Sequence, residues 1–279
     1  MKHRPNPPRA HTGPGPSRGP THQKAPPSPR RTDETIVGLR AGLAVFAKRP
    51  DDILRVGYGK SARTEVEALI RWASAHRVPC GELSDAELTR IADSEPHEGL
   101  CVLAKERRWA GAQEIGDLLV QRGGTAIALD RVRNPYNIGA ILRSAAFFGV
   151  DAALLGTPAP HPGLPPTAVR VAEGGTEHVT VARTTDLADT LGRLRAKKVR
   201  VVGADGGADR SALEYPFVRP TILVLGNERE GLGDRVRAQC DAIVAIPGSG
   251  AVESLNVAVA AGVLIAELSR RRATSSNSQ

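Results

Sequence analysis

Three short segments of this chain combine glycine, amide, hydroxyl and charged side chains in patterns suited to holding a small molecule beside a polar reaction centre. The most telling runs from Ala245 to Glu267. An apolar strand ends in Pro247, a glycine-rich loop follows, and a helix predicted to open at Ser254 is apolar nearly all round. Such a helix must be buried, yet its first turn presents Ser254 and Asn256. Polar groups at the mouth of a buried helix, beside a loop built for close approach, make a natural small-molecule site. The second segment, Asn134 to Arg143, follows a strand ending at Asp130. Asn137 suits a helix N-cap and Gly149 a C-terminal stop. Arg143 is the lone charge among Ile141, Leu142, Ala145, Ala146, Phe147 and Phe148. A guanidinium on so apolar a helix needs an anionic partner or a polar cavity; a structural ion pair and a functional role both meet that need. In the third segment an apolar strand, Leu223 to Leu225, runs straight into Gly226, then into acids and Gly231. In open α/β sheets ligands bind beyond the carboxyl ends of the strands. Gly226 permits close backbone approach, and Glu228 can accept a hydrogen bond or pair with a cation.

The elements that must position these residues alternate along the chain. Strands are predicted at Thr125–Leu129, Val150–Leu155, His178–Val181, Val199–Gly203, Thr221–Leu225 and Ala242–Ile246, with helices at Ile138–Phe148, Leu187–Lys197 and Ser254–Arg270. Strands separated by helices imply a parallel sheet covered on both faces. A smaller α/β unit precedes it, between Ile36 and Lys105. Its helices are expected at Gly38–Lys48 and Thr64–His76 and after the capping box Ser84-Asp-Ala-Glu87; its strands are expected at Ile53–Val56 and Leu100–Ala104. The resulting organisation is a basic, Pro-rich disordered tail over 1–34, a small domain over 35–106, a linker over 107–122, a larger domain over 123–272 and a frayed end over 273–279.

Bulk properties narrow the function classes. With 279 residues, 41% hydrophobic and 24% charged, the chain is long enough for one large or two modest soluble domains. Val252–Leu268 is the one long apolar run, and Glu253, Asn256 and Glu267 mark it as a core helix rather than a membrane span. The basic start lacks an apolar secretory core, and Cys80, Cys101 and Cys240 match no metal spacing, so reduced thiols in a cytoplasm are expected. The net charge of +8 points to a polyanionic partner. Seven cations, Lys2 to Arg31, precede the first acid, Asp33; without them the remainder is close to neutral. The tail either adds salt-dependent phosphate affinity or merely solubilises. Gly59-Lys60-Ser61 is no P-loop, because Leu54 stands where that motif needs glycine. A G-x-G-x-x-G after a strand and an H-E-x-x-H are both lacking, which removes dinucleotide and zinc-protease readings.

Taken together, the three segments resemble the signature motifs of the SpoU family of RNA ribose methyltransferases, within the SPOUT superfamily. The matching patterns are N-x-G-A-x-x-R at Asn137–Arg143, L-G-N-E-x-x-G-L at Leu225–Leu232, and I-P-x-x-G-x-x-x-S-L-N-V at Ile246–Val257. The region Ile36–Lys105, with His97-Glu98-Gly99-Leu100, is similar to that family's L30e-like substrate-binding domain. The resemblance implies an α/β SPOUT fold with a C-terminal trefoil knot. It implies S-adenosylmethionine held mostly by backbone around Leu225, Gly226, Asn227, Ile246, Pro247, Ser254 and Leu255. A homodimer sharing its active site across the interface is implied as well. Asn137, Arg143, Glu228, Ser254 and Asn256 match the family's functional positions. Ala172-Glu-Gly-Gly-Thr-Glu177 stands where the family carries an S-x-G-A-x-E-like segment: Glu177 is the closer match, and Glu173 departs from it in a way that bears on RNA contact.

The implied reaction is in-line attack of a ribose 2′-oxygen on a sulfonium methyl, in which positioning and desolvation supply much of the rate. Arginine stays protonated up to a pKa above about 12, so Arg143 is read as an electrostatic stabiliser of the forming alkoxide, with the proton passing to a phosphate or Glu228. Asn137 and Asn256 would orient Arg143 or the ribose, and Ser254 would cap its helix. The substrate class is structured rRNA or tRNA, gripped by shape through the small domain. The competing reading is a non-catalytic RNA-binding or ribosome-assembly protein on the same fold.

Overall fold

The computed structural model describes residues 33–93, 96–156 and 163–276, with side chains described as far as Arg270. The expected disordered tail therefore lies outside the described residues, apart from its last two positions. Its boundary moves: Glu34 already belongs to a strand, β1 (Glu34–Val37). The chain continues through α1 (Leu39–Lys48), β2 (Ile53–Tyr58), α2 (Glu67–Ala75), β3 (Cys80–Glu82), α3 (Asp85–Ala92) and β4 (Leu100–Ala104). The Ser84–Glu87 capping box forms as read, with the serine hydroxyl accepting from the Glu87 N–H and the Glu87 carboxylate accepting from the Ser84 N–H. These strands make a mixed sheet in the order β1-β4-β2-β3. The sequence pattern passed over β1 and β3, the two short edge strands.

The segment expected to be a linker holds a helix, α4 (Ala112–Arg122), whose Ile115 and Leu119 are fully buried. The rest follows as β5 (Thr125–Leu129), α5 (Pro135–Phe147), β6 (Ala152–Leu155), α6 (Pro166–Val171), β7 (Thr180–Arg183), α7 (Leu187–Ala196), β8 (Arg200–Ala204), β9 (Thr221–Leu225), α8 (Asp234–Arg237), β10 (Ala242–Val244) and α9 (Val257–Ser276). The last helix starts three residues later than expected and runs beyond the expected stop at Arg270. Every pairing in the second sheet is parallel, in the order β10-β8-β9-β5-β6-β7.

Alternation along these apolar strands sends successive side chains to opposite faces. Ile127, Leu129, Ala153, Leu155, Leu223 and Leu225 join α5, α6 and α9 in one core; Ala126, Ala128, Leu154, Ile222 and Val224 join α4, α7 and α8 in the other. Chain order runs outward from β5 to β7, then returns to the other side, where β9 inserts between β5 and β8. In open α/β sheets ligands bind at such a reversal, beyond the carboxyl ends of the flanking strands, here β5 and β9. Among the described residues no helix is long and apolar enough to cross a membrane.

The core that holds α5 and α6 is continuous with the core of the four-stranded sheet. Beside it lies a buried ion cluster. Arg49, at the end of α1, reaches Glu177 at 3.0 Å, Glu34 at 2.9 Å and the carbonyl of Lys105 at 2.8 Å. Arg107 reaches Glu34 at 2.8 Å and Glu177 at 3.2 Å, and donates to the carbonyl of Thr176 at 3.3 Å. Burial by itself lowers the Arg49 pKa, but the Glu177 and Glu34 carboxylates outweigh it and hold the guanidinium above its ordinary value. Two guanidiniums and two carboxylates thus fasten β1, the end of α1 and the segment after β4 to the short turn before β7. Removing one member leaves charges buried without compensation, at about 3–5 kcal/mol. Glu177→Ala is expected to lower unfolding free energy by that amount in urea titrations, with Glu177→Gln milder. A loss under about 1 kcal/mol would mean that water already screens the cluster.

Candidate active site

Each of the three motif segments begins where a strand ends. Beyond β5, the buried Asp130 accepts from the Gly233 N–H at 2.8 Å, and Arg131 adopts a left-handed φ of 58°. Asn134, not Asn137, then caps α5: its side chain accepts from the Tyr136 N–H at 2.9 Å, and Pro135 fills the first helical position. An asparagine followed by proline is a recognisable helix start, and that was the signal for the true cap. Asn137 is displaced inward by three residues, buried, with its amide free for other work.

Beyond β9 the loop is pinned by reciprocal hydrogen bonds of 3.0 Å between Asn227 and Gly231 main chains. The Asn227 side-chain oxygen accepts from the Arg229 and Glu230 N–H groups, and its amide donates to the Arg131 carbonyl at 3.0 Å. Asn227 therefore shapes the loop and ties it to the segment after β5. Glu230 closes the same junction through an ion pair with Arg131. Gly226 is required for space: a Cβ there would lie 2.4 Å from the Gly231 carbonyl carbon and 2.6 Å from the Leu232 nitrogen. Asp130, Arg131 and Asn134 carry this architecture, and the sequence reading assigned them no role.

Beyond β10 the chain passes through Ile246, half-buried, and Pro247, exposed, to α9. The helix starts at Val257, and its cap is Asn256, whose side-chain oxygen accepts from the Ala258 N–H at 2.9 Å and the Val259 N–H at 3.4 Å. Ser254 lies exposed two residues earlier and does not cap the helix, contrary to the expectation. Leu255 is exposed as well.

One hydrogen-bonded chain draws the three segments together. Having used its oxygen on α9, Asn256 donates from its amide nitrogen to Asn137 Oδ1 at 3.2 Å. Asn137 in turn donates to Glu228 Oε1 at 2.6 Å. The arrangement leaves one carboxylate oxygen of Glu228 outside this chain, on an exposed residue. Arg143 stands apart. It lies six residues beyond Asn137, roughly 9 Å along the helix and on another face at 1.5 Å and 100° per residue. Its guanidinium, more than half exposed, pairs with Glu173 at 2.8 Å. Ile141, Leu142 and Ala145 point into the core instead, Phe147 one turn on is exposed on the same side, and the partner of Arg143 is the acid that departs from the family pattern.

Burial of the last helix is one-sided. Ala261, Leu264, Ile265 and Leu268 are in the core, while Val259 is 54% and Val263 37% exposed. On the adjacent α5, Phe147 is 83% exposed. Helical rotation puts an apolar stripe outward on the single chain, which corrects the expectation of burial all round.

The model of the SpoU rRNA Methylase family matches residues 124–266. The chain belongs to this family. It is 34% identical over 248 residues to YfiF of Escherichia coli O157:H7, an uncharacterized tRNA/rRNA methyltransferase, covering 85% of this chain and 68% of the relative. An uncharacterized tRNA/rRNA methyltransferase of Mycobacterium avium (strain 104) is 33% identical over 282 residues, covering 96% and 85%. Among solved structures, the AdoMet-bound rRNA methyltransferase of Sinorhizobium meliloti aligns with a TM-score of 0.70 at 26% identity, covering 86% of this chain and 87% of that one. The SpoU methyltransferase AviRb of Streptomyces viridochromogenes, in complex with AdoMet, aligns at 0.71 and 22% identity, covering 87% and 91%.

The amide chain yields a direct test. Asn137→Asp would replace a donor with a carboxylate facing Glu228, whereas Asn137→Ala only removes the bonds. Both are expected to lose about 1–3 kcal/mol of stability, with the aspartate variant the worse of the two at neutral pH. If urea unfolding put them in the reverse order, the Asn137–Glu228 bond would not exist in solution.

Proposed function

We propose that this chain transfers a methyl group from S-adenosylmethionine to a ribose 2′-hydroxyl of rRNA or tRNA. The observation that carries the reading is the Asn256–Asn137–Glu228 chain, which unites the three motif segments beyond the carboxyl ends of the strands.

The residues present suit the cofactor. Between Ile246 and Glu253 the described main chain makes no hydrogen bonds to other main chain; the Ala251 N–H donates to the Ser249 hydroxyl at 3.3 Å, and the other N–H and C=O groups suit a polar ligand. Ile246 and Leu255 add apolar surface for a ring, the buried Leu225 backs the strand end, and Gly226 lets the loop fold back close to it. Leu225, Gly226, Ile246, Pro247 and Leu255 would hold the cofactor, with the Ser254 hydroxyl at the rim. Asn227 supports the same loop from behind. When bound, S-adenosylmethionine supplies an electrophilic methyl on a sulfonium, open to in-line attack. The chain's own residues do the rest. Glu228, oriented by Asn137, accepts a hydrogen bond from the ribose or its proton. Arg143 stabilises the charge that develops on the 2′-oxygen.

Arg143 and Glu228 do not meet within one chain, so the reading includes a homodimer in which Arg143 of one protomer serves the loops of its partner. The exposed apolar residues Val259, Val263 and Phe147 on the adjacent helices α5 and α9 support that interface. Burying about 25 cal/mol per Å2 of apolar surface there would favour association. The knot implied by the resemblance belongs to the same reading, as does a role for the four-stranded unit in gripping structured RNA. The methyltransferase unit is taken to begin at α4, because that helix packs into the sheet's second core. RNA substrates of this kind make the cytoplasm the expected location.

Incubating the full chain with labelled S-adenosylmethionine and rRNA or tRNA, followed by nucleoside analysis, is expected to give a 2′-O-methylated nucleoside. Label on a base would overturn the ribose assignment, and absence of transfer would favour the non-catalytic alternative. Arg143→Lys is expected to lower turnover by about 100-fold or more, since a point charge cannot replace an oriented guanidinium donor pair. Near-normal turnover would end that role. Val263→Glu should shift the protein toward monomer in light scattering and abolish transfer; a fully active monomer would contradict the composite site.

A further inference from the structure

The turn between α6 and β7 carries two acids, four residues apart, and each sits between two arginines. Glu177 is buried with Arg49 and Arg107. Glu173 faces outward: one oxygen meets Arg143 Nη1 at 2.8 Å, the other Arg40 Nε at 3.6 Å. Side-chain exposure separates the two clusters, at 6% for Glu177 but 74% for Arg40 and 56% for Arg143. The buried cluster is a fastening. The exposed one is held by pairs that water and salt screen, each worth under about 1 kcal/mol, and is open to exchange.

The outer acid is also placed at a conformational cost. Glu173 adopts φ 46°, a left-handed backbone that a non-glycine residue rarely takes, followed by Gly174 at 85°. A Cβ on Gly174 would lie 2.6 Å from the Ala44 Cβ, so the turn is pressed against α1. This close packing presents the carboxylate to guanidiniums from two separate elements, Arg40 on α1 and Arg143 on α5. Two guanidiniums converging on a pair of anionic oxygens, Arg143 within hydrogen-bond reach and Arg40 as an ion pair, match a phosphodiester as well as they match a carboxylate.

We propose that Arg40 and Arg143 form a clamp for a backbone phosphate of the RNA, and that Glu173 occupies the clamp until RNA displaces it. The proposal rests on RNA being the substrate, but it needs no methyl transfer. Glu173 neutralises the arginine assigned to the reaction, and the incoming phosphate takes over that contact. Arg143 is thereby held ordered but quenched in the free protein. The clamp also gives the four-stranded unit a part in substrate placement, through Arg40.

Binding of a fluorescent single-stranded RNA oligomer to the full chain tests this. Glu173→Gln is expected to tighten binding by about five- to tenfold and to steepen the plot of log affinity against log salt by about 0.7, the increment for one added phosphate contact on a single strand. Glu173→Gly, which suits the left-handed backbone, should show the same gain and controls for folding. Arg40→Gln should weaken binding by a similar factor, and the Arg40→Gln/Glu173→Gln double variant should return close to the unmodified protein. Unchanged or weaker binding by both Glu173 variants, at an unchanged salt slope, would overturn the clamp. So would a fall in kcat at saturating RNA with no change in affinity, since Glu173 would then be positioning Arg143 for the reaction. Methyl transfer by the unmodified protein, measured in parallel, separates the two ideas: tighter RNA binding without any transfer keeps the clamp and removes the enzymatic reading.

Discussion

The site depends on a run of directed hydrogen bonds that starts from the unsatisfied N–H groups at the head of α9. Those donors claim the Asn256 oxygen, which leaves its nitrogen to donate to Asn137, which leaves the Asn137 nitrogen to donate to Glu228. Every amide orientation along the way is dictated by the one before it. A helix end that would otherwise hold orphan donors thus fixes the direction of a carboxylate two segments away. The same constraint explains why a glycine and an asparagine precede Glu228. Gly226 lets the loop fold back upon Gly231, and Asn227 locks it to the Arg131 carbonyl.

The six-stranded sheet turns this local chain into a site. Parallel strands bring all their carboxyl ends to one edge, and the placement of β9 beside β5 puts the reversal of chain order at its centre. Helices on both faces bury the strands almost completely, so polar chemistry is confined to the loops. The smaller sheet shares its core with α5 and α6, and the Arg49–Glu34–Arg107–Glu177 cluster adds a specific fastening at the seam. The two acid-centred clusters on a single turn show how exposure alone separates a fastening from an exchangeable contact.

Much of this was legible beforehand because apolar runs and glycine positions are local properties. The central strands Thr125–Leu129 and Thr221–Leu225 match their predicted bounds, and the Ser84 capping box forms as read. Short edge strands such as Cys80–Glu82 escaped, since three residues carry no periodicity. Around Ile115, Leu118 and Leu119 the sequence shows a short amphipathic piece, but its charges and Gly116 read as a linker, and only packing makes Ala112–Arg122 a full helix. Both misassigned caps share a cause. Asn137 and Ser254 are residue types that suit a cap just ahead of an apolar run, yet Asn134-Pro135 and Asn256 satisfy the N–H groups. Gly139 was legible as a motif letter, but its reason, the Ala168 carbonyl 2.6 Å from where a Cβ would sit, belongs to packing between α5 and α6.

The amino-acid order by itself determined the class of fold, the parallel central strands and the residues that gather at the site, because hydrophobic period and motif spacing act over short stretches of chain. Only the tertiary structure decided who touches whom. It gave Asn137 to Glu228 and Asn256, across separations of 91 and 119 positions. It gave Arg143 to Glu173 rather than to that trio, and left one face of α9 open. Such outcomes turn on the rotation of each helix and the path of each loop, which are set by packing between segments distant in sequence.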